Sequence, residues 1–210
     1  MPTILRLDSS ARHDGSTSRM LGDLVENTLV EQIPDSSIIH RDLADEPLPH
    51  LDATAIAGFF SSPDALHDTL KAAIAQSDEL VEELLAADIL ILTVPMYNFA
   101  VPSALKAWID HVVRIGRTFS YDGQSFAGLL QGKKAYVVCA YGATGYGVGE
   151  PFGAANFVEP YLRFVLTFLG ITQTEFFSVE ATSAPEDARA PFVEKARETI
   201  LQALRGAQPA

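Results

Sequence analysis

Two rhythms of apolar and polar positions alternate along this chain. Apolar runs of strand length occur at 3–8 (TILRLD), 36–43 (SSIIHRDL), 88–94 (DILILTV), 133–140 (KKAYVVCA) and 173–180 (QTEFFSVE). Between them the spacing turns helical. In residues 17–31, Met20, Leu21, Leu24, Val25, Thr28 and Leu29 share one helical face, with hydroxyl residues at its start. Residues 64–75 and 77–87 read as two helices, the second led by Ser77 with Asp78 and Glu79 in its first turn. After Pro102, Ala104, Leu105, Trp108, Ile109, Val112 and Val113 form a stripe. A helix over 154–169 stops at Gly170. Ser183-x-x-Glu186 reads as a capping box opening a last helix through Phe192, Ala196, Ile200 and Leu204. Residues 44–63, with Pro47, Pro49 and Pro63, read as irregular.

The run at 88–94 has no polar alternation, as in a central strand covered on both faces, whereas 173–180 alternates like an edge strand. Strands alternating with helices predict an α/β fold with a mostly parallel sheet. A dinucleotide-binding sheet needs G-x-G-x-x-G after its first strand, and here that strand runs into DSSARHDGSTS. The better fit is a flavodoxin-like, doubly wound, five-stranded parallel sheet of order 2-1-3-4-5. Such a sheet binds ligands at the carboxyl ends of strands one, three and four. Without a linker or internal repeat, residues 1–210 read as a single domain.

Composition narrows the partners. A formal net charge of −12 argues against nucleic acid or an anionic membrane surface. No apolar stretch approaches the ~18 residues of a membrane span, and the N-terminus lacks the basic lead of a secretion signal. One cysteine, Cys139, forms no internal disulfide, so a cytoplasmic location is expected. An acidic protein still holds a phosphate where backbone donors converge.

Three segments fall where ligands bind in such a sheet. After strand one, Ser9, Ser10, Ser16, Thr17 and Ser18 supply hydroxyls beside a helix start, suited to a phosphate or, more simply, to a cap. After strand three, Pro95-Met96-Tyr97-Asn98-Phe99 places an apolar wall and one amide between two prolines, suited to a flat aromatic ligand or to core packing. After strand four, Ala140-Tyr141-Gly142-Ala143 opens a glycine-rich loop that permits close backbone approach. No G-x-x-x-x-G-K-[ST], H-E-x-x-H or G-x-S-x-G pattern is present, so no triphosphate site, zinc site or hydrolase nucleophile is predicted. Cys139, inside a predicted buried strand, reads as inert packing.

Taken together, DSSARHDGSTSRML, PMYNFAVPSALKAWIDHVVRIGRTFSYD, GKKAYVV and PYLRFVLTFLGI resemble the FMN-dependent NADH-azoreductases, a group of flavodoxin-like quinone reductases, from residue 1 to about 200. The resemblance implies a homodimer with one FMN per subunit near the interface. It implies Ser10, Ser16, Thr17 and Ser18 at the phosphate, and Pro95, Met96, Tyr97, Asn98 and Phe99 along the isoalloxazine. Ala140, Tyr141, Gly142 and Ala143 stand where the family often has a Ser-Arg-Gly-Gly-like run at the ring's polar edge; Tyr141 would stack near the ring or gate the pocket. Tyr121 and Phe168 match family aromatics that face the substrate pocket from the other subunit. Phe59 and Phe60, on the 50–65 segment, would act as a lid. The implied activity is two-electron reduction of quinones or azo compounds by NADH or NADPH, in a ping-pong exchange through flavin N5. No side chain need then act as catalytic acid or base. The rival readings are a flavodoxin-type electron carrier and a flavin-binding sensor.

Overall fold

The computed structural model describes residues 1–206. Its elements run β1 (Thr3–Asp8), α1 (Thr17–Gln32), β2 (Ser37–Asp42), α2 (Ala53–Phe59), α3 (Asp68–Ala86), β3 (Ile89–Pro95), α4 (Ser103–Val112), β4 (Phe119–Tyr121), β5 (Phe126–Gly128), β6 (Lys134–Ala140), α5 (Glu159–Leu169), β7 (Gln173–Val179) and α6 (Glu186–Gly206). Five parallel strands form one sheet, ordered β2-β1-β3-β6-β7. This is the predicted 2-1-3-4-5 order once the separate β4-β5 hairpin is set aside. The register aligns Asp8 with Thr93, Pro95 with Ala140, and Ala140 with Val179, so the carboxyl ends of the strands share one edge.

Neighbouring residues of a strand face opposite ways, and each face has its own core. Leu5, Leu90, Leu92 and Val94 pack with Leu80, Leu84, Trp108 and Leu166 on one side. Ile4, Ile91 and Val138 pack with Leu21, Val25, Ile200 and Leu204 on the other. That is why β3 carries no polar alternation: both of its faces are covered.

Several boundaries differ from the sequence reading. The two helices expected at 64–75 and 77–87 are one helix, α3. Ser77 does not start a helix; it is fully buried and donates its hydroxyl to the His111 carbonyl at 2.5 Å. The 44–63 segment contains α2, capped by the Asp52 side chain, which accepts from the Ala55 amide at 2.8 Å. Helix α5 begins at Glu159 rather than 154, after a short 3-10 turn. It ends at Gly170 as expected, with φ +98. The last helix begins at Glu186, and Ser183 lies too early to cap it; the Ser183 amide instead bonds the Gly142 carbonyl at 3.1 Å. The β4-β5 hairpin was not expected, although Asp122-Gly123 is a hairpin signal. Its Gly128 faces Gly170 so closely that a Cβ on Gly128 would lie 2.1 Å from the Gly170 nitrogen.

Candidate functional site

The loop after β1 is stitched to the end of β3. Ser9 donates to the Thr93 carbonyl through its amide at 3.2 Å and its hydroxyl at 2.7 Å. The chain then enters α1 at Ser16, the N-cap, whose side chain makes no cap hydrogen bond. The simpler reading of these serines, a plain helix cap, is therefore not what Ser16 does. Its hydroxyl lies 3.3 Å from that of Ser18, and Ser10, Ser16 and Ser18 are all buried. A helix start leaves amides without intrahelical partners. Ser10, Ser16, Thr17 and Ser18, at and before that helix start, line one small cavity of about 30 Å³ together with Pro95, Tyr97 and Ala140.

Beneath this loop lies a charge network that the sequence reading did not foresee. Arg6, 5 % exposed, bonds Asp8 at 3.1 Å, Asp23 at 2.7 Å and Glu26 at 3.1 Å. Burial opposes its charge, but those carboxylates together raise its pKa above the ordinary value. Thr93 donates to Asp8 at 2.6 Å. Arg19 bonds both oxygens of Asp42, at 2.5 and 2.8 Å, and donates to the Ser10 carbonyl at 2.7 Å. Arg19 thus ties the serine loop to the end of β2. The sequence signal was present: Arg6 and Asp8 are charged positions on one face of an otherwise apolar strand.

The PMYNF segment is a tight turn. Tyr97 and Ala100 exchange backbone hydrogen bonds at 3.0 and 3.1 Å, and the two residues between them have positive φ, 48° at Asn98 and 74° at Phe99. This is the pattern of a type I′ turn. Asn tolerates it; Phe does so at a cost of ~1–2 kcal/mol. The Met96 amide bonds the Ala140 carbonyl at 2.8 Å, and the Phe99 carbonyl accepts from the Phe157 amide at 3.1 Å. Among the described residues, the Asn98 and Phe99 amides donate to no protein group, so both are free for a ligand. The Tyr97 hydroxyl accepts from the Ala11 amide at 3.1 Å, joining this turn to the serine loop.

Outside the turn lies an open groove of about 1010 Å³, walled by Tyr97, Val101, Phe157, Pro160, Tyr161 and Phe164, with Asn98, Ser103 and Lys106 as polar members. Beyond Phe164, the rings of Phe168, Phe119, Phe126 and Tyr121 form a chain, with Tyr121 stacked on Phe126 at 4.5 Å. Tyr121 and Phe168 do not line the groove of their own chain. Phe59 and Phe60 do not reach it either. The Arg114 guanidinium lies 3.8 Å over the Phe59 ring, Phe60 is 74 % exposed, and α2 packs on α3 so tightly that a Cβ on Gly58 would meet Ile74 at 2.5 Å. Arg114 thus holds Phe59, while Phe60 lies just past the end of α2.

The loop after β6 also differs from expectation. The Tyr141 ring neither gates the groove nor lines the small cavity: it is buried, stacked on Tyr146 at 5.3 Å, with its hydroxyl accepting from Asn156 at 3.2 Å. Its amide and carbonyl bond Val179 and Thr182, and the Gly142 and Ala143 carbonyls bond Ser183 and Ala181. Glu180 holds the next stretch through the amides of Gly145 and Tyr146 at 3.2 and 2.9 Å. Ala140 alone of the four lines the small cavity. Cys139 is fully buried, and burial, with Glu159 adding to it, pushes its thiol pKa up to about 12.

A family model described as a flavodoxin-like fold matches residues 2–204. The chain belongs to the flavodoxin-like family. It is 52 % identical over 175 residues to the FMN-dependent NADH:quinone oxidoreductase of Xanthobacter autotrophicus, covering 83 % of this chain and 84 % of that protein. It is 42 % identical to FMN-dependent NADH:quinone oxidoreductase 2 of Trichormus variabilis, over 97 % of this chain and 99 % of that one. In three dimensions this member of the family overlays an azoreductase from Bacillus anthracis with a TM-score of 0.89, at 23 % identity, across 99 % of this chain and 100 % of the other; that likeness speaks to the fold. No helix of the described residues is long and apolar enough to cross a membrane.

Proposed function

We propose that this protein is an FMN-dependent oxidoreductase that uses NADH to reduce quinones and azo compounds. One observation carries the reading: the uncapped serine-rich start of α1 lines a small cavity together with Pro95 and Tyr97, at the edge of the positive-φ turn after β3. That pairing suits a ligand with a phosphate at one end and a flat ring at the other. Names of relatives sharing 40 % identity or more supply the same cofactor and donor.

In this reading the hydroxyls of Ser10, Ser16, Thr17 and Ser18 and the first-turn amides of α1 hold the phosphate. Pro95, Met96, Tyr97 and Phe99 line the ring, and the free amides of Asn98 and Phe99 donate to its edge. Ala140, Gly142 and Ala143 approach the polar edge through the backbone. FMN held there would supply two-electron redox chemistry through its N5, with NADH and the acceptor taken in turn in a ping-pong order. The chain's own task is to position donor and acceptor in turn against one ring face and to exclude water from it. An apolar groove selects flat acceptors by shape more than by identity.

The exposed rings of Phe99, Phe126, Phe157 and Phe164, each at least half exposed, support a homodimer, because so large an apolar face is rarely left open to water. A second copy would bring its Tyr121 and Phe168 to the groove. Residues 1–210 then act as a single FMN-binding domain, and a lone buried thiol suits a cytoplasmic location. The groove favours an enzyme over a protein-to-protein electron carrier, which needs no small-molecule pocket. The experiment is anaerobic stopped flow on FMN-loaded protein. NADH is expected to bleach the flavin bands and a quinone to restore them; failure of either step refutes the enzyme reading.

A further inference from the structure

The loop after β7 reaches the small cavity of the serine niche. Thr182 lines that cavity together with Ser10, Ser16, Thr17, Ser18 and Tyr97. Its place is fixed by contacts with the loop after β6. The Ala181 amide donates to the Ala143 carbonyl at 3.2 Å, the Thr182 amide to the Tyr141 carbonyl at 3.0 Å and the Ser183 amide to the Gly142 carbonyl at 3.1 Å. The two loops lie so close that a Cβ on Gly142 would stand 2.9 Å from Ser183 Oγ. Making these contacts puts Ala181 at φ +57, a left-handed conformation that an alanine resists. Such strain persists where the surroundings over-determine the backbone, and it clusters at ligand sites.

Counting protons separates Thr182 from the other hydroxyls of the cavity. Ser10 Oγ accepts from the Arg12 amide at 3.2 Å and keeps its own proton to give. The Ser16 and Ser18 hydroxyls, 3.3 Å apart, spend at most one proton on each other. Tyr97 accepts from the Ala11 amide at 3.1 Å and also keeps its proton. Thr182 is the reverse case: its Oγ1 donates to the Tyr141 carbonyl at 3.0 Å. What it then offers is lone pairs alone. A phosphate dianion only accepts, so it pairs with the serines and not with Thr182. An alcohol hydroxyl donates as well as accepts, so it pairs with either.

We propose that Thr182 accepts a hydrogen bond from a ribityl hydroxyl of the bound flavin, and so selects a polyol chain between phosphate and ring. The inference rests on the reading that the serine niche holds the FMN phosphate. Pro95 and Ala140, which also line the cavity, bring no polar side chain to it. Thr182 is the one cavity hydroxyl whose proton goes to a backbone carbonyl. The niche therefore divides by chemistry, with donors for the anion on the β1-α1 loop and an acceptor for the chain on the loop after β7.

The test is fluorescence titration of the flavin-free, full-length chain with two ligands. One is FMN; the other is a flavin phosphate whose pentyl chain lacks the ribityl hydroxyls. Both are run on the wild type, Thr182→Val and Thr182→Ser. Thr182→Val is expected to weaken FMN about tenfold, the scale of leaving one hydrogen-bonding group without its partner, and to change the pentyl analogue by less than about twofold. Thr182→Ser keeps the hydroxyl and is expected to bind both ligands as the wild type does. Equal weakening of both ligands by Thr182→Val overturns the proposal, because loss of the Tyr141 contact or of a phosphate contact would act on both alike. FMN affinity unchanged in Thr182→Val, or lowered as much in Thr182→Ser, overturns it too. Each of these results leaves the FMN reading standing; a wild type that binds neither ligand removes that reading and the proposal together.

Discussion

Arg19 is the residue whose removal tests the site most directly. Replacing it by Met keeps the unbranched apolar stem of the side chain and deletes three hydrogen bonds: two to Asp42, at 2.5 and 2.8 Å, and one to the Ser10 carbonyl at 2.7 Å. The Arg19 side chain is 13 % exposed and that of Asp42 25 %, so the pair is partly sheltered. A charge-assisted hydrogen bond contributes ~1.5–3 kcal/mol. The three share one guanidinium, and Asp42 keeps its bond from the Ala44 amide and some access to water. The net loss is therefore about 2–3 kcal/mol rather than the sum of the parts. At ~2–4 °C per kcal/mol for a chain of this length, the melting temperature should fall by about 5–10 °C.

The same variant frees Ser10 from β2, so donors at the niche are held less firmly. FMN should bind about tenfold more weakly, and riboflavin, which has no phosphate, should lose far less. Acid titration adds a signed check. Burial works against the Asp42 charge, but Arg19 and the Ala44 amide hold its carboxyl below the ordinary value of 3.8. A depressed carboxylate contributes stability that is complete above its unfolded pKa and lost as pH falls through its folded one. Wild-type protein should therefore lose melting temperature below about pH 4 more steeply than Arg19→Met. A melting shift under about 2 °C, or riboflavin weakened as much as FMN, would refute this account of Arg19.

Other expectations are simpler. Gly22→Ala places a Cβ 2.4 Å from Thr93 Cγ2, and Thr93 is held by Asp8; overpacking of ~1–3 kcal/mol should outweigh the ~1 kcal/mol gain in helix propensity, seen as a lower urea midpoint. Tyr97→Phe removes the acceptor of the Ala11 amide, so stability should drop by ~1 kcal/mol and FMN dissociation should quicken several-fold; unchanged dissociation would exclude this link between the two loops. Cys139, fully buried with a thiol pKa near 12, should react with an aromatic disulfide reagent at about pH 8 only as fast as the protein unfolds; rapid labelling of native protein would contradict the packing seen around it.

The site was partly legible before folding. Serines after the first strand and the PMYNF loop after the third could be assigned to strand ends, because sheet topology follows from the order of elements. Asn98 stood out as the one amide of its loop, yet its positive φ emerges only from the hydrogen bonds that close the turn between Tyr97 and Ala100. Tyr141 was the opposite case. Its neighbours in sequence suggested a ring contact, but Tyr146 and Asn156, from the following loop, turn it inward. Phe59 was likewise claimed by Arg114, a residue 55 positions further along the chain.

What the sequence alone determined was the periodic part: the five strands of the sheet and the helices between them outside α2 and the β4-β5 hairpin, the 2-1-3-4-5 order, the edge at which ligands gather and the family. Periodicity is a local property, and burial of one face per period follows from it directly. Tertiary structure alone decided the continuity of α3 through Ser77, the carboxylates that Arg6 and Arg19 pair with, and the hold of Arg114 on Phe59. Each of these depends on a partner distant in the chain. Charge pairing and shape complementarity act through space over a few ångströms, and sequence spacing does not carry that distance.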